Sequence, residues 1–239
     1  MIIGDEILSG RTQDANLSYL ARWLNVHGIR LQEARVVADD AAAIGAAVNA
    51  CLAAYDYVFT TGGIGPTHDD ITVDSVAAAL GVPVVYHPEA VETLTRYYGD
   101  RLTEARLRMA RVPEGAELIA NPETGAPGIR IGRLFILAGV PKITQGMLRG
   151  LDGKLAGGLP VKSRAVGAWA QESAVAGLLA EVQDGHDGVQ VGSYPFWRDG
   201  RGGANFVLRS VDDAALDAAV AALKQGLEAQ GIVAQEGEI

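Results

Sequence analysis

The feature that most constrains the fold is a glycine-rich turn between an apolar run and a helical pattern. The run Tyr57-Val58-Phe59 has the character of a buried strand, and Ile71 to Leu80 shows the apolar spacing of a helix. Between them stand Thr60-Thr61-Gly62-Gly63-Ile64-Gly65-Pro66-Thr67-His68-Asp69-Asp70. Glycines adopt positive φ angles and allow close approach to the backbone. The segment therefore predicts a strand, a tight turn and a helix, whose N–H groups and dipole favour an anion such as phosphate.

Two adjacent acids follow the turn, where a phosphate would lie. Asp69 and Asp70 make sense there if a divalent cation bridges the carboxylates and the phosphate. A structural interpretation is also open, because Thr67-x-x-Asp70 fits a capping box in which Asp70 only satisfies backbone donors. That box explains only one of the two acids, which favours the phosphate and metal hypothesis slightly.

Helical and strand patterns alternate from residue 14 to residue 150, which predicts βαβ units, a mainly parallel sheet and right-handed crossovers. The predicted strands are Met1-Ile2-Ile3, Ile29 to Val37, Tyr57 to Thr61, Val82 to Tyr86, 117–119 and 133–137. A linker is expected at 150–160, followed by a β-α-β-β-α pattern. We therefore predict two domains, an α/β domain at 1–152 and a small α+β domain at 160–239.

Composition narrows the classes of function. The formal net charge of −9 argues against nucleic acid or an anionic membrane as the main partner, since both require a basic surface. The single cysteine, Cys51, excludes an internal disulfide framework. No signal peptide and no apolar run of about 20 residues is present, so a cytoplasmic protein is expected. The first strand is short, which leaves open whether residues precede Met1.

Acidic residues follow three predicted strands of the sheet. They occur in Gly4-Asp5-Glu6 and on to Gly10, in Asp39-Asp40, and at the end of the glycine turn. Ligands of open α/β sheets bind beyond the carboxyl ends of the strands, so these segments should meet. Asp39, Asp69 and Asp70 are the predicted ligands of Mg²⁺, Mn²⁺ or Co²⁺, and Asp70, Asp39 and Glu6 are the candidate catalytic groups. For Asp39 alone, a helix N-cap is the more common role.

These motifs resemble a known family. Gly4 to Gly10 with Thr12-Gln13-Asp14-Ala15-Asn16, the glycine turn with Thr72, Gly125 to Gly128 and Gly139-Val140-Pro141 resemble the N-terminal, molybdopterin-binding-like domain of competence/damage-inducible protein A. The amino-acid sequences of these motifs most resemble the hydrolase-like domain of FAD synthases. Ser193-Tyr194-Pro195 with Trp197 resembles the small domain that follows it there. Two departures stand out, at Arg106 to Arg111 and at Ala138, where the family has other residues.

The resemblance implies a three-layer α/β fold with a mainly parallel sheet, and a metal-dependent pyrophosphatase acting on FAD or ADP-ribose. It places Asp39 and Asp70 at the metal and molybdopterin site, allows K⁺ or molybdopterin as further ligands, and suggests a homo-oligomer, either dimer or trimer. A non-catalytic pterin- or nucleotide-binding module and a protein of molybdenum-cofactor biosynthesis are the alternatives. The predicted ligand contacts are Gly4, Asp5, Gly10, Asn16, Thr61, Gly62, Gly63, Gly65, Pro66, Thr67 and Thr72.

Overall fold

A computed structural model describes all 239 residues, from Met1 to Ile239, and the chain divides into two compact units. The first unit comprises Met1–Leu24 and Arg30–Ala156, and the second comprises Asn25–Ile29 and Gly157–Ile239. The short segment 25–29 belongs to the second unit because it is hydrogen-bonded there. The Asn25 side chain donates to the Val161 carbonyl at 3.0 Å, and the Gly158 N–H donates to the Gly28 carbonyl at 2.9 Å.

The first unit is built on a six-stranded sheet of order β2-β1-β3-β8-β7-β6. Its strands are β1 (Ile2–Ile3), β2 (Val36–Val37), β3 (Val58–Thr61), β6 (Glu117–Ile119), β7 (Gly128–Ile131) and β8 (Leu134–Leu137), and β4 (Val84–Tyr86) with β5 (Arg111–Pro113) forms a separate antiparallel pair. Strands β2, β1, β3 and β8 run parallel, whereas β7 is antiparallel to both of its neighbours. The predicted α/β class with a mainly parallel sheet is confirmed.

Seven helices accompany these strands. They are α1 (Asp5–Leu8), α2 (Asn16–Val26), α3 (Ala41–Ala54), α4 (Thr72–Leu80), α5 (Pro88–Tyr98), α6 (Glu104–Leu107) and α7 (Pro141–Arg149). Asp40 is the N-cap of α3 and accepts from the Ala43 N–H at 2.8 Å, and Pro88 opens α5 as its pattern predicts. Gly45 lies in the middle of α3, where a side chain would contact Ala79 of α4. Small residues thus let these two helices pack closely.

The core forms around β3 and β8. All four residues of Leu134–Leu137 are buried, and Phe59 stacks on Phe135 with ring centroids 4.7 Å apart. Burying such side chains stabilises the fold by about 1.5–3 kcal/mol each relative to exposure, so this pair of strands anchors the sheet. The carboxyl ends of β3 and β8 are therefore held rigidly, and the segments that follow them start from fixed positions.

Three expectations about strands differ from the structure. The strand expected at Ile29–Val37 forms only at Val36–Val37, because most of the preceding residues are polar and exposed. Strand β7 lies in the Pro- and Gly-rich stretch 121–132, which gave no strand signal. Gly128 begins it, and there a Cβ would lie 3.0 Å from the Met147 sulfur. The strand expected at Val82–Tyr86 forms as β4, outside the main sheet.

The second unit is a four-stranded antiparallel sheet of order β10-β11-β9-β12. Its elements are β9 (Lys162–Ala168), α8 (Glu172–Asp184), β10 (Gln190–Arg198), β11 (Arg201–Ser210), α9 (Asp213–Ala229) and β12 (Ala234–Glu236). The predicted β-α-β-β-α order is confirmed, and β12 extends it. Asp199 and Gly200 both have positive φ and join β10 to β11 in a two-residue turn, so the hairpin is much longer than the apolar residues alone predict. None of the helices of the chain is long and apolar enough to cross a membrane.

Candidate functional site

The parallel strands β2, β1, β3 and β8 end at one edge of the first unit's sheet. The segments that continue from them are 38–40, 4–10, 62–71 and 138–141. The first three are the acidic and glycine-rich segments expected to meet, and the structure brings them together. The fourth, Ala138 to Pro141, is the Gly-Val-Pro turn of the sequence motif. This edge is the candidate site, and it has the position at which ligands bind in open α/β sheets.

Asp5 and Asp39 are bonded to each other's main chain across this edge. The Asp5 N–H donates to Oδ2 of Asp39 at 2.9 Å, and the Asp39 N–H donates to Oδ1 of Asp5 at 3.3 Å. Asp5 is the first residue of α1, so Asp39 satisfies one of the free donors at that helix start. The N-cap of α3 is Asp40 and not Asp39. The N-cap role considered for Asp39 is therefore wrong, and its carboxylate instead accepts from the first N–H of α1.

Asp39 is destabilised in its charged form. Partial burial raises the pKa of Asp39, and repulsion from Asp5, Glu6 and Asp69 raises it further, while the hydrogen bond from the Asp5 N–H opposes the change. Charges from all three acidic segments are thus felt at one carboxylate. Such a concentration of negative charge attracts a cation.

The turn after β3 requires glycine at its first two positions. Gly62 has φ 106° and Gly63 has φ 67°. A Cβ on Gly62 would lie 2.1 Å from the carbonyl oxygen of Ile3, and one on Gly63 would lie 2.1 Å from the Thr72 hydroxyl oxygen. The turn therefore lies directly against the end of β1 and the start of α4. No other residue fits either position without moving the backbone.

Thr72 fastens this turn to α4. Its hydroxyl donates to the Gly62 carbonyl at 2.9 Å, and its N–H donates to the Gly63 carbonyl at 3.0 Å. The side chain is fully buried. By contrast, the N–H groups of Gly63, Ile64 and Gly65 donate to no acceptor within the protein. Consecutive unpaired N–H groups of this kind are suited to bind an anion.

Asp70 is turned into the glycine segment. Its Oδ2 accepts from the Thr67 N–H at 2.8 Å and from the Thr67 hydroxyl at 2.5 Å, and a Cβ on Gly65 would lie 2.6 Å from the same oxygen. The structural interpretation of Asp70 is thus partly realised. Thr67 is not a helix cap, however, because α4 begins at Thr72. Asp70 closes the loop that contains Pro66, and Asp69 beside it is exposed to solvent.

The segment after β1 forms the opposite rim. Glu6 folds back over Gly4, where a Cβ would lie 2.7 Å from either Glu6 carboxylate oxygen. Gly10, at φ 72°, ends the tight turn that follows α1. Exposed carboxylates at Asp5 and Glu6 therefore stand beside the start of the sheet.

Asn16 joins the first rim to the turn after β8. Its buried side chain donates to the Gly139 carbonyl at 2.7 Å, and a Cβ on Gly139 would lie 3.3 Å from the Gly62 Cα. Asp14 accepts from the Leu17 N–H at 2.8 Å, in the first turn of α2. Gly139 is a site neighbour that our reasoning from sequence did not include, although the motif around it was recognised. Its close approach to Gly62 explains why both residues are glycine.

Two hydroxyls at the end of β3 are buried without a partner. Neither Oγ1 of Thr60 nor Oγ1 of Thr61 makes a hydrogen bond, and both residues are almost wholly inaccessible. Buried polar atoms of this kind usually find a partner, in protein or in ordered water. Thr61 was among the predicted contacts and Thr60 was not. Their signal in the sequence is the polar pair at the end of an otherwise apolar strand.

The candidate site does not contain a ready-made metal cage. No group of three or more His, Cys, Asp or Glu side chains is arranged to hold a metal ion anywhere in the chain. Asp39, Asp69 and Asp70 therefore do not form a complete ligand set among themselves. The arrangement instead fits a hard cation held by one or two carboxylates together with phosphate oxygens, as Mg²⁺ commonly is. His68 lies at the exposed tip of the turn.

Comparisons with known proteins show the family and the fold. The family described as "Probable molybdopterin binding domain" matches residues 1–152, and "FAD synthase, middle domain" matches residues 160–236. A solved structure of the protein CinA, of unknown function, from Thermoplasma acidophilum superposes with a TM-score of 0.60 at 35% identity, covering 64% of this chain and 94% of that one.

Two curated relatives cover more of the sequence. Protein Ta0487 of Thermoplasma acidophilum is 33% identical over 202 residues, which is 81% of this chain and 78% of that protein. A CinA-like protein of Gemmatimonas aurantiaca is 35% identical over 209 residues, again 81% of this chain but only 49% of its own length. The chain thus spans about half the length of that CinA-like relative.

Proposed function

Because this chain belongs to the CinA-like family, with a molybdopterin-binding domain followed by an FAD synthase middle domain, we propose that its first unit is a metal-dependent nucleotide pyrophosphatase. It hydrolyses FAD or ADP-ribose and releases AMP. The observation that carries the proposal is the meeting of the acidic segments at one sheet edge, where Asp39 and Asp5 bond to each other's main chain and Gly62 lies against the end of β1. The carboxylates and the neighbouring anion site together require a cation to balance their charge, and they suit a diphosphate as the ligand.

The glycine turn binds the diphosphate in this proposal. The unpaired N–H groups of Gly63, Ile64 and Gly65 point to a backbone anion site, and the start of α4 adds a favourable dipole. Thr72 and Asn16 hold the turn in place through the carbonyls of Gly62 and Gly139. The cradle is thus preformed, which lowers the entropy cost of binding.

The carboxylates position the cation and the attacking water. Asp39, Asp69 and Asp70 are the proposed ligands. When bound, a divalent cation supplies charge stabilisation at the phosphoryl oxygens. Glu6 accepts the proton of the water whose oxygen bonds to the adenylate phosphorus. The bridging P–O bond breaks, so FAD gives AMP and FMN, and ADP-ribose gives AMP and ribose 5-phosphate.

Turnover of FAD and of ADP-ribose in the presence of Mg²⁺, Mn²⁺ or Co²⁺ tests the proposal, with AMP quantified by chromatography. We expect AMP release from at least one substrate, and a loss of about a hundredfold or more in Asp39→Asn and Asp70→Ala. Asp40→Asn is the matched control, because asparagine remains an N-cap for α3 and the change removes a neighbouring charge. No AMP with any metal, or equal rates in all variants, would contradict the proposal.

A binding module without turnover is the second candidate. The observation that favours it is the state of Asp70, because the N–H and the hydroxyl of Thr67 both donate to its Oδ2 and leave only Oδ1 for a metal. A pterin or nucleotide would then occupy the same turn, as a protein of molybdenum-cofactor biosynthesis requires. Ligand-induced thermal stabilisation without any AMP release would support this candidate, and steady turnover would exclude it.

A further inference from the structure

The sheet of the second unit carries helices on one face only. Val166, Phe206 and Leu208 point to that face and pack with α8 and α9. Alternate residues of the same strands point to the other face, against which neither α8 nor α9 packs. The aromatic and cationic residues on this open face, which we call the hairpin platform, are Trp169, Tyr194, Phe196, Arg198, Arg201 and Arg209.

Glycines let the Phe196 and Tyr194 rings approach the sheet closely. Phe196 stands opposite Gly203 in the β10–β11 ladder, and a Cβ on Gly203 would lie 2.5 Å from the Phe196 ring. The Tyr194 ring likewise extends over Gly192, where a Cβ would lie 3.1 Å from it. Tyr194 is 45% exposed, so part of this surface is accessible to a ligand.

Each ring of the platform is paired with an arginine. The guanidinium carbon of Arg201 lies 4.9 Å from the Trp169 ring centroid, and that of Arg198 lies 5.9 Å from the Phe196 centroid. Arg209 lies 5.7 Å from the Tyr194 ring and donates to its hydroxyl at 2.6 Å. Cation–π contacts occur about once per 70–80 residues, so three between residues 169 and 209 are a concentration.

The charge of this surface opposes that of the chain. The hairpin 190–210 carries three arginines against one aspartate, whereas the whole chain has a net charge of −9. Trp169 and Phe196 meet edge to face at 5.2 Å, which leaves ring surface beside the guanidinium groups. Stacking surface next to fixed positive charge is complementary to a planar ring that carries a phosphate.

Other occupants fit less well. Strand β10 is an edge strand, but Pro195 in its middle lacks an N–H and opposes pairing with a further strand. The centre of the open face near β9 is occupied by Ile239, whose N–H donates to the Asn205 side chain at 2.9 Å. The part that remains accessible is the β10 side with its rings and arginines, an area suited to a small ligand.

We propose that the hairpin platform is a second ligand site, which binds a mononucleotide such as AMP or FMN. The ring of the nucleotide stacks on Trp169, with Phe196 perpendicular to it, and its phosphate is bound by Arg201 and Arg198. The site lies wholly in the second unit and does not depend on the hydrolysis proposed for the first. It also gives a role to the Ser-Tyr-Pro motif at 193–195, since Tyr194 belongs to the platform.

Binding of FMN and AMP to the full chain, measured by equilibrium dialysis, tests the second site. The Asp39→Asn, Asp70→Ala double variant without divalent metal serves as background, so that metal-dependent binding at the glycine turn is suppressed and failure of either proposal is visible separately. On that background we expect Trp169→Ala and Arg201→Ala to weaken FMN binding about tenfold or more. The Arg201→Lys variant should also bind FMN more weakly than wild type, because lysine does not stack on a ring as arginine does.

Trp197→Ala is the matched control. Trp197 is 77% exposed on the same strand, but alternation places it on the opposite face to Phe196, so its loss should change FMN binding less than twofold. Trp169→Phe keeps a ring and serves if Trp169→Ala fails to fold by circular dichroism. Equal binding of ribose 5-phosphate and FMN would overturn the proposal as an unspecific anion effect. Equal losses of FMN binding in Trp169→Ala and Trp197→Ala would overturn it too. So would displacement of FMN by single-stranded RNA that binds far more tightly.

Discussion

Asp5 and Asp39, 34 residues apart, each accept a hydrogen bond from the main-chain N–H of the other, at 2.9 and 3.3 Å. This reciprocal pair ties the end of β1 to the end of β2 and fixes two carboxylates at the same sheet edge. The pair uses one oxygen of each side chain, so the remaining oxygens stay available to a ligand. Asp5 and Asp39 thus stabilise the sheet edge and also belong to the proposed site.

Asp39→Asn should make the stability of the protein less sensitive to pH. The pKa of Asp39 is raised above its usual 3.8 in the folded state, so its contribution favours folding at low pH and is lost as pH rises through that raised pKa. Asparagine still accepts from the Asp5 N–H without the charge. We expect a gain of less than about 1 kcal/mol at pH 7, since the side chain is largely solvated, and no gain near pH 4.

Urea unfolding of wild type and Asp39→Asn between pH 4 and pH 8 measures this difference. Asp40→Asn is the control, because asparagine also accepts from the Ala43 N–H at the start of α3, and its difference from wild type should stay flat. A loss of stability in Asp39→Asn that grows with pH would show that the charge of Asp39 is favourable, contrary to the account.

Gly62→Ala should destabilise the protein by about 2–4 kcal/mol. The residue has φ 106°, and the new Cβ would lie 2.1 Å from the Ile3 carbonyl oxygen, so the turn or the end of β1 must move. Gly45→Ala is the matched control in α3, where the Cβ meets only Ala79 at 3.5 Å and helix propensity should raise stability by up to about 1 kcal/mol. Chemical denaturation of both variants measures the change in the free energy of unfolding. Equal changes in the two variants would refute the packing described for the turn.

Thr72→Val should cost about 1–3 kcal/mol, because the buried Gly62 carbonyl loses the hydroxyl that donates to it. Thr72→Ser keeps the donor and should lose less than the valine variant, although valine matches the shape better. Thermal unfolding gives the order, expected as wild type, then serine, then valine. A valine variant as stable as wild type would mean that this hydrogen bond does not hold the turn.

Asn16→Ala should lower both stability and AMP release, because the Gly139 carbonyl loses its donor and Gly139 lies against Gly62. Asn25→Ala is the comparison in the second unit, where the side chain exchanges two hydrogen bonds with Val161 at 3.0 and 3.2 Å. That variant should lose stability while keeping its rate per folded molecule. Matching losses of rate in both variants would show that Asn16 acts only through stability.

Much of the first unit could be predicted because its signals are local. The glycine turn after Phe59 and the helix that follows it are specified by residues adjacent in sequence. The length of strand β2 was overestimated, since the sequence pattern does not distinguish its apolar pair from the polar residues that precede it. Strand β7 was missed because it forms through pairing with β6 and β8, and no local pattern contains those partners.

The candidate site could likewise be predicted only in part. Topology sufficed to expect the acids of 4–10, 39–40 and 62–70 at one edge. The direction of each carboxylate did not follow from the sequence, because Asp39 bonds to Asp5 and Asp70 bonds to Thr67 through geometry set by the turns. The platform on the second unit was also missed, since Trp169 and Phe196 are 27 positions apart and meet only when β9, β10 and β11 pair.

The most direct test of the central claim is a crystal soaked with Mn²⁺ and AMP, examined by anomalous scattering. The account predicts a manganese peak at the ends of β1, β2 and β3, bonded to at least one of Asp39, Asp69 and Asp70, with the AMP phosphate on the N–H groups of Gly63 to Gly65. Manganese and phosphate bound away from this edge, or AMP bound there with no metal contact to any of these aspartates, would contradict it.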